Sequence, residues 1–244
     1  MVSFDRRKTD GQKKSLKILG YFNSIAGKYD MMNTFLSFGM HHIWKKIAVG
    51  MLGLTSGDKV LDVCGGTGDL AILAAGAVNP SGCVTLYDFS RAMIHAGRIK
   101  KSKSSIGKCI QYVQGDAQQI SFGDESFDAV MVGFGIRNVI NMEKGFEEMH
   151  RVLKPGGKMM CLEFSQPTSA LFRLVYDFYS FYIIPFLGKA MTGSRQAYTH
   201  LPVSIRTFPL PNELKSILQD IGFLHVTYRK LTNGIAVVHL AKKI

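Results

Sequence analysis

The sequence has little of what marks a disulfide scaffold or a metal centre. Its 244 residues include four cysteines, none of them in a Cys-x-x-Cys pair, and no cysteine, histidine and carboxylate cluster occurs at metal-ligand spacing. We therefore expect reduced cysteines that serve in packing, a cytoplasmic protein and no bound metal. No uninterrupted apolar run reaches the ~20 residues of a membrane-spanning helix, and the charged N-terminus lacks the apolar core of a secretory signal.

Acidic side chains are also scarce. Eighteen Asp and Glu residues stand against 30 Lys and Arg, which gives a net charge of +12 and favours an anionic partner, either nucleic acid or a membrane surface. Residues 1–17 carry six basic and two acidic side chains and little to bury, so we predict a basic, mobile arm there. The rest of the chain shows no internal repeat and no domain boundary, which predicts one domain over residues 18–244.

What the sequence does contain is a strand, a glycine turn and a helix start in succession. The apolar residues 60–64 are interrupted only by Asp62, and Gly65, Gly66 and Gly68 follow before a helix-compatible segment. Such a unit opens a nucleotide-binding α/β fold, because the glycines allow a ligand to approach the main chain closely. We therefore assign Asp62 and these three glycines to cofactor binding.

Two ligand classes use a turn of this kind. Gly66-x-Gly68-x-x-Ala71 matches the dinucleotide pattern, and Asp88 lies 20 residues beyond Gly68, near the spacing of a ribose-binding acid. Asp62 argues against a dinucleotide, because its carboxylate would repel a pyrophosphate and would suit the ammonium group of a bound amino acid. The strand ending in an acid, the glycine turn and the second strand ending in Asp88 resemble class I S-adenosylmethionine-dependent methyltransferases. In that family the turn holds the methionine part of the cofactor and the second acid binds the ribose hydroxyls.

The following segments continue the alternation of strands and helices. The third strand ends in a Gly-Asp-Ala turn, where the methyltransferase resemblance implies that Asp116 binds the adenine amino group and the backbone at Ala117 binds a ring nitrogen. Acceptor chemistry is expected at the end of the fourth strand, residues 126–135. The R-V-L-K-P-G-G element at residues 151–157 is not expected in a dinucleotide dehydrogenase, so we interpret the chain as a methyltransferase. The predicted fold is an α/β, Rossmann-like seven-stranded sheet with an antiparallel last strand.

Two helical segments flank this core. We predict a cap over residues 18–56, in which Tyr29, Asp30 and His41 or His42 are site candidates because such a segment commonly closes over the cofactor. We predict a lid insertion over residues 166–210, where seven of the fifteen residues from Phe172 to Phe186 are aromatic. Arg173, Asp177 and Pro185 interrupt this stretch, which we expect to be too short and too broken to span a bilayer. It either packs in the core or lines a site for an apolar acceptor.

Six motifs occur in order along the chain. They are Lys28-Tyr29-Asp30-x-Met32-Asn33, Gly39-x-His41-x-x-Trp44-Lys45, Asp62-Val63-x-Gly65-Gly66-Thr67-Gly68-Asp69, Phe134-Gly135-x-Arg137-Asn138-Val139, Glu163-Phe164-Ser165-x-Pro167 and Ser204-Ile205-x-x-Phe208-Pro209. Together they resemble the ubiquinone/menaquinone biosynthesis C-methyltransferases of the UbiE type, over nearly the whole chain after the arm. The resemblance implies cofactor contacts at Thr67, Asp88, Asp116 and Ala117. Gly133 departs from the pattern, because some members carry a cofactor-contacting serine there.

The resemblance also implies an activity. S-adenosylmethionine would donate a methyl group to a ring carbon of a reduced prenylated quinone, first of all demethylmenaquinol, with the benzoquinol step of ubiquinone synthesis left open. Arg137 is the first candidate to stabilise the developing phenolate or to orient a water, followed by Tyr29 and His41, since an arginine stays protonated and is no base. A membrane-borne substrate predicts transient contact with a membrane surface, at the inner face of the cytoplasmic membrane, and leaves self-association open.

Other functions stay open at this point. The chain could methylate another small molecule or a lipid, or it could bind the cofactor or RNA without catalysis. Nucleic-acid methylation is disfavoured, because Gly133-Phe134-Gly135-Ile136 stands where amino-methylating enzymes carry Asp/Asn-Pro-Pro-Tyr/Phe, and no Pro-Cys nucleophile motif exists. We therefore expect no nucleic-acid partner.

Overall fold

A central seven-stranded sheet organises the chain in a computed structural model that describes residues 2–101, 109–192 and 195–244. The strands are β1 Lys59–Val63, β2 Cys83–Asp88, β3 Ile110–Gln114, β4 Phe127–Gly133, β5 Leu153–Phe164, β6 Leu224–Leu231 and β7 Ala236–Lys242. Their order is β3-β2-β1-β4-β5-β7-β6, with β1 to β5 parallel and β7 antiparallel to both of its neighbours. The predicted class and the antiparallel last strand are confirmed.

Helices cover both faces of this sheet. They are α1 Val2–Ile25, α2 Tyr29–Leu36, α3 Met40–Leu52, α4 Asp69–Val78, α5 Arg91–Lys101, α6 Met142–Val152, α7 Ala170–Phe178, α8 Ile184–Thr192, α9 Arg195–Thr207 and α10 Pro211–Ile221. One core lies between the sheet and α3 and α4, and a second lies between the sheet and α6 and α10. Because both faces are covered, β1 is apolar on both sides, with Val60, Leu61 and Val63 fully buried.

The N-terminal segment differs from the predicted arm. Helix α1 runs from Val2 to Ile25 and passes through the predicted boundary after Lys17 without a break. Its C-terminal half is anchored, because Ile18 and Ile25 are buried, and the helix packs against α5 and α9. No proline interrupts residues 2–17, so helical hydrogen bonding continues outward from that anchor.

The lid stretch also differs from its prediction. Residues 170–191 form one continuous helical stretch, made of α7, a π-helical turn over Tyr179–Ile183 and α8. Its 22 residues are long and apolar enough to cross a membrane by length and composition, and 17% of the 18-residue window that meets this criterion is buried. The expectation that this stretch is too short and too broken was therefore wrong. The π-helical turn ends at Ile183 and Pro185 is the second residue of α8, so the chain passes the proline within helical geometry.

A third apolar cluster connects the cap to the lid. Ile25 and Met32 of the N-terminal helices pack against Ile184 and Tyr198 of α8 and α9. The N-terminal and lid helices thereby enclose the space beyond the carboxyl ends of the parallel strands, which is where ligands bind in open α/β sheets.

Candidate active site

The first of two adjoining cavities lies at the carboxyl ends of β1, β2 and β4. Its walls include Gly66, Asp88, Asp116 and Ala117, which are four of the eight predicted cofactor residues. Asp62, Gly65, Thr67 and Gly68 are not among its lining residues, although they form the strand end and turn beside it. The structure thus brings the strand-end acids of β2 and β3 to one cavity with the glycine turn.

Asp88 is fixed by backbone amides at the end of β2. Its Oδ2 accepts from the amide of Gly66 at 2.8 Å, and its Oδ1 accepts from the amide of Ser90 at 2.7 Å. Burial raises the pKa of Asp88, and these two amides oppose that shift because they stabilise the charged form. Each oxygen keeps a second lone pair, so the carboxylate can also accept from two neighbouring hydroxyls of a ligand.

Asp62 is the least satisfied polar group of this region. It is fully buried, and neither carboxylate oxygen makes a hydrogen bond of good geometry among the described residues, although the nearby Ala71 amide favours its charged form. Burial, and next the charge of Asp88, raise the pKa of Asp62 to about 8. A buried carboxylate without a partner is costly, and a positively charged ligand group would relieve the cost. The ammonium group of S-adenosylmethionine has that charge, so the site fits the cofactor.

Thr67 connects the glycine turn to the cap. Its hydroxyl donates to Asp30 of α2 at 2.5 Å, whereas the resemblance implied a cofactor contact. Lys100 of α5 is paired with Asp30 and also with Asp69 at the start of α4. Burial alone would raise the pKa of Asp69, but the charges of Lys45 and Lys100 outweigh it and hold the pKa well below its usual value. These ion pairs hold α2 close to the cofactor turn.

Two turns meet tightly between the first cavity and the second. Cys64 after β1 and Phe134 after β4 both adopt positive φ angles, 55° and 58°, which non-glycine residues rarely do. A Cβ atom on Gly135 would lie 2.4 Å from the Cβ atom of Cys64, so only glycine allows this approach. Strain of this kind is often found at functional sites, and here it places the Phe134 turn against the start of the glycine turn.

The second cavity has a volume of about 450 Å³ and lies between α2, α3, the lid helices and the turn after β4. Most of its walls are apolar or aromatic, including Phe164, Phe172 and Tyr179. It shares Tyr29, Phe134 and Asn138, among others, with the first cavity. A group held in one cavity can therefore meet a group held in the other at these shared residues.

Arg137 lies on the wall of the second cavity in a buried ion pair. Its Nη1 donates to Glu163 Oε2 at 2.8 Å and to the Phe134 carbonyl at 2.5 Å, and its Nε donates to Ser204 Oγ at 3.3 Å. The two charged side chains are 6% and 2% exposed. Burial raises the pKa of Glu163, and the Arg137 guanidinium opposes that shift. Among the described residues these bonds use Nε and Nη1, so Nη2 is the guanidinium atom left for a ligand.

The other two predicted catalytic residues also line the second cavity, and they differ in position. Tyr29 reaches both cavities, and burial raises its pKa, so its hydroxyl keeps its proton at neutral pH. His41 lines only the second cavity, with its Nε2 3.1 Å from Thr34 Oγ1 and its Nδ1 buried without a partner among the described residues. Burial, and next the charge of Lys45, lower the pKa of His41 to about 4, so it is neutral at physiological pH.

Two further residues stand at the junction of the cavities. Asn138 lies on the wall of both, and its Oδ1 is 3.1 Å from His200 Nε2. The Asn138 Nδ2 atom is buried without a partner within the described part of the chain. Burial, and next the charge of Arg137, lower the pKa of His200. Asn138 carried a sequence signal in the Phe-Gly-x-Arg-Asn-Val motif, whereas His200 carried none.

The cap also brings three ligand-type side chains together. Ligand atoms of His41, His42 and Asp69 all lie within 4.8 Å of one another. Asp69, however, already contacts the ammonium groups of Lys45, at 2.7 Å, and Lys100. Two lysines on the only acidic member of this group would repel a metal ion, so the charges around it disfavour metal binding.

Comparison with known proteins identifies the family. The model of the ubiE/COQ5 methyltransferase family matches residues 9–243. The ubiquinone/menaquinone biosynthesis C-methyltransferase UbiE of Pseudomonas fluorescens (strain SBW25) is 43% identical over 227 residues, which cover 93% of this chain and 89% of that protein. The protein of the same name from Francisella tularensis subsp. novicida (strain U112) is 43% identical over 232 residues, or 95% and 93% of the two chains.

Solved structures agree at the level of the fold. A Thermotoga maritima S-adenosylmethionine-dependent methyltransferase, described as a possible histamine N-methyltransferase, has a TM-score of 0.65 at 18% identity, over 93% of this chain and 100% of that one. An S-adenosylmethionine-dependent methyltransferase from Aquifex aeolicus has a TM-score of 0.57 at 19% identity, over 82% of this chain and 89% of that one. With the family model spanning almost every residue from the middle of α1 to the end of the sheet, the chain belongs to the ubiE/COQ5 methyltransferase family.

Proposed function

We propose that this protein is an S-adenosylmethionine-dependent C-methyltransferase of ubiquinone/menaquinone biosynthesis and that its acceptor is a reduced prenylated quinone, demethylmenaquinol first. The observation that carries the proposal is the junction of the two cavities at Tyr29, Phe134 and Asn138. One cavity has the acids and glycines of a cofactor site, and the other is a mostly apolar space with one guanidinium in its wall. That combination suits a hydrophobic ring that carries an acidic hydroxyl group.

The first cavity and the strand ends beside it carry carboxylates and amides that match the charged and hydrogen-bonding groups of the cofactor. Asp62, buried in β1 beside this cavity rather than on its wall, would pair with the ammonium group. Asp88 would accept from the ribose hydroxyls, and Asp116 with the Ala117 amide would bind the adenine edge. When bound there, S-adenosylmethionine supplies an electrophilic methyl group, so the reaction needs no metal and no acid at the methyl donor. The task left to the protein is to align the acceptor and to make its ring carbon nucleophilic.

Alignment and charge stabilisation are both available from this chain's own residues. Holding two reactants in line within closed walls lowers a barrier by up to about 7–11 kcal/mol. The Arg137 guanidinium, held in place by Glu163, would stabilise negative charge on the acceptor oxygen through Nη2. Phenolate character on that oxygen raises electron density on the adjacent ring carbon, and positioned proton removal contributes roughly 10²–10⁴-fold.

We also propose that the protein is cytoplasmic and works at the inner face of the cytoplasmic membrane. An acceptor with an isoprenoid tail resides in lipid, and the +12 net charge favours an anionic surface.

The test is methyl transfer from labelled S-adenosylmethionine to demethylmenaquinol in detergent, run beside the demethylated benzoquinol precursor. Product from demethylmenaquinol alone would make this a menaquinone enzyme, and product from both would make it an enzyme of both pathways. Absence of product from either acceptor, with cofactor binding intact by calorimetry, would refute the proposed acceptor class.

A further inference from the structure

The long lid stretch presents an apolar stripe to the outside of the molecule. Six large apolar side chains of residues 170–191 are between 60% and 75% exposed: Leu171, Leu174, Val175, Phe178, Tyr182 and Phe186. Leu174 and Val175 are adjacent, and the other steps are three or four residues long, so the six side chains share one broad face of the helix. We call this face the outer stripe. A row of six such exposed apolar side chains is uncommon on a soluble monomer and marks an interaction site.

The opposite face fixes the helix to the body of the protein. The Tyr179 hydroxyl donates to the carbonyl of Leu36 at 2.9 Å, and Ile184 is buried against the cap in the third apolar cluster. The stretch is about 33 Å long at 1.5 Å per residue, yet its inner face is already occupied. It is therefore placed to lie along a membrane surface rather than to cross the bilayer.

The outer stripe borders the mouth of the second cavity. Phe172 and Val175 line that cavity and are also exposed, and Phe38 of the facing cap lines it while 83% exposed. Residues that belong both to the cavity wall and to the surface mark its opening. An apolar chain that leaves the cavity here emerges beside Val175, on the outer stripe itself.

The charges around the stripe favour an anionic surface. The single acidic side chain of residues 170–191 is Asp177, which is paired with Arg206. At the far end of the stripe Lys189 is exposed, and the exposed Lys28 donates to the carbonyl of Met191 at 2.7 Å. Neither lysine forms an ion pair within the part of the chain that the structure describes, and apolar side chains next to such lysines are the pattern of helices that lie in the interface of anionic membranes.

A second copy of the chain fits this surface less well than lipid. A protein partner on the outer stripe would cover Val175 and with it the mouth of the cavity. A bilayer keeps the mouth in contact with the phase in which an isoprenoid tail is dissolved.

We propose that the outer stripe docks in the interface of an anionic bilayer and that the tail of the acceptor passes laterally from lipid into the second cavity past Phe172, Val175 and Phe38. This inference rests on the proposed function for the identity of the acceptor. The docking itself depends only on the exposed helix face and its charges.

The test compares two double variants with the wild-type protein. Leu174→Glu/Phe178→Glu places two charges on the outer stripe at positions that do not line the cavity. Leu224→Glu/Ile244→Glu, at two other exposed apolar positions, is the matched control. The first measurement is co-flotation with vesicles of phosphatidylcholine alone and of phosphatidylcholine with phosphatidylglycerol. We expect the wild type to prefer the anionic vesicles, the stripe variant to lose about tenfold or more in partitioning, and the control to match the wild type.

The second measurement separates docking from chemistry. We expect the stripe variant to methylate a short-tailed, water-soluble demethylnaphthoquinol at the wild-type rate and to lose activity on a long-tailed acceptor in vesicles. Equal vesicle binding by all three proteins would overturn the proposal, as would an equal loss in the control. A wild-type dimer in lipid-free solution that the stripe variant dissociates would assign the stripe to a second copy and also overturn it. If the wild-type protein binds anionic vesicles as expected but methylates neither acceptor, the proposed function is refuted and the docking surface is supported.

Discussion

The buried ion pair between Arg137 and Glu163 makes a quantitative prediction about stability. The two side chains are 6% and 2% exposed and meet at 2.8 Å, so Arg137→Ala leaves a buried carboxyl without its counter-charge. Removing one partner of such a pair costs about 3–5 kcal/mol. For a domain of this size each kcal/mol shifts the melting temperature by roughly 2–4 °C, so we expect Arg137→Ala to melt about 6–20 °C below the wild type near neutral pH.

The same variant should show a distinctive dependence on pH. Burial already raises the pKa of Glu163 above its ordinary value of 4.5, and loss of the guanidinium raises it further. Between that ordinary value and the folded-state pKa, the folded protein binds a proton that the unfolded chain releases. Stability must therefore fall as pH rises through this window, by about 1.4 kcal/mol per pH unit. The stability of the wild type should fall less steeply with pH, because Arg137 compensates the negative charge of Glu163.

Thermal unfolding at about pH 5 and about pH 7.5 measures both effects. Glu163→Gln in the Arg137→Ala background replaces the carboxyl by a neutral amide, which can still accept from the Phe164 amide that now bonds Glu163 at 3.1 Å. We expect this double variant to lose the extra pH dependence and to melt above Arg137→Ala near neutral pH. The reasoning would be refuted if Arg137→Ala lowered the melting temperature equally at both pH values, or if the double variant were no more stable than Arg137→Ala.

The double variant is also the proper background for the catalytic role of Arg137. Because it lacks the buried charge, its activity reports the missing guanidinium rather than a damaged fold. We expect it to bind S-adenosylmethionine with nearly wild-type affinity and to lose at least about tenfold in turnover, since a hydrogen bond to a charged group contributes about 1.5–3 kcal/mol. Wild-type turnover in this variant would remove Arg137 from the proposed chemistry.

Three further outcomes are expected. Asp62→Asn should weaken S-adenosylmethionine binding in calorimetry, and unchanged affinity would exclude a contact with the ammonium group. Because the folded-state pKa of Asp62 is about 8 against an ordinary 3.8, we expect the cofactor-free wild type to lose stability between about pH 4 and pH 8 and Asp62→Asn to show a flatter pH dependence. Gly133→Ser should cost about 1–3 kcal/mol in chemical denaturation, because its Cβ would lie 2.4 Å from Leu70 Cδ1, and Leu70→Ala in the same chain should cancel part of that cost. We expect His200 to position Asn138, so His200→Phe should lower turnover with little change in cofactor affinity. His200→Gln keeps a donor for Asn138 Oδ1 and should retain most activity, and equal turnover of the two variants would contradict this role.

The sequence alone was sufficient for the sheet and for the meeting of two predicted cofactor acids in one cavity. Strands of apolar residues separated by glycine turns predict parallel pairing, and parallel strands place their carboxyl ends at one edge. Asp88 ends β2 and Asp116 lies two residues beyond the end of β3, so their meeting in one cavity follows from local patterns. Arg137 was identifiable for a similar reason, because it lies three residues after the turn that ends β4.

The pairing and exposure of side chains were decided by tertiary structure. Glu163 meets Arg137 across 26 residues and His200 meets Asn138 across 62, and nothing in the local pattern fixes such distances. The lid shows the same limit. Its aromatic residues predict an apolar helix, but only packing against the cap determines that Tyr179 and Ile184 face inward and Phe178 and Tyr182 face outward. Periodicity gives the spacing of residues along a helix, whereas the rotation of that helix against its neighbours depends on contacts between segments far apart in sequence.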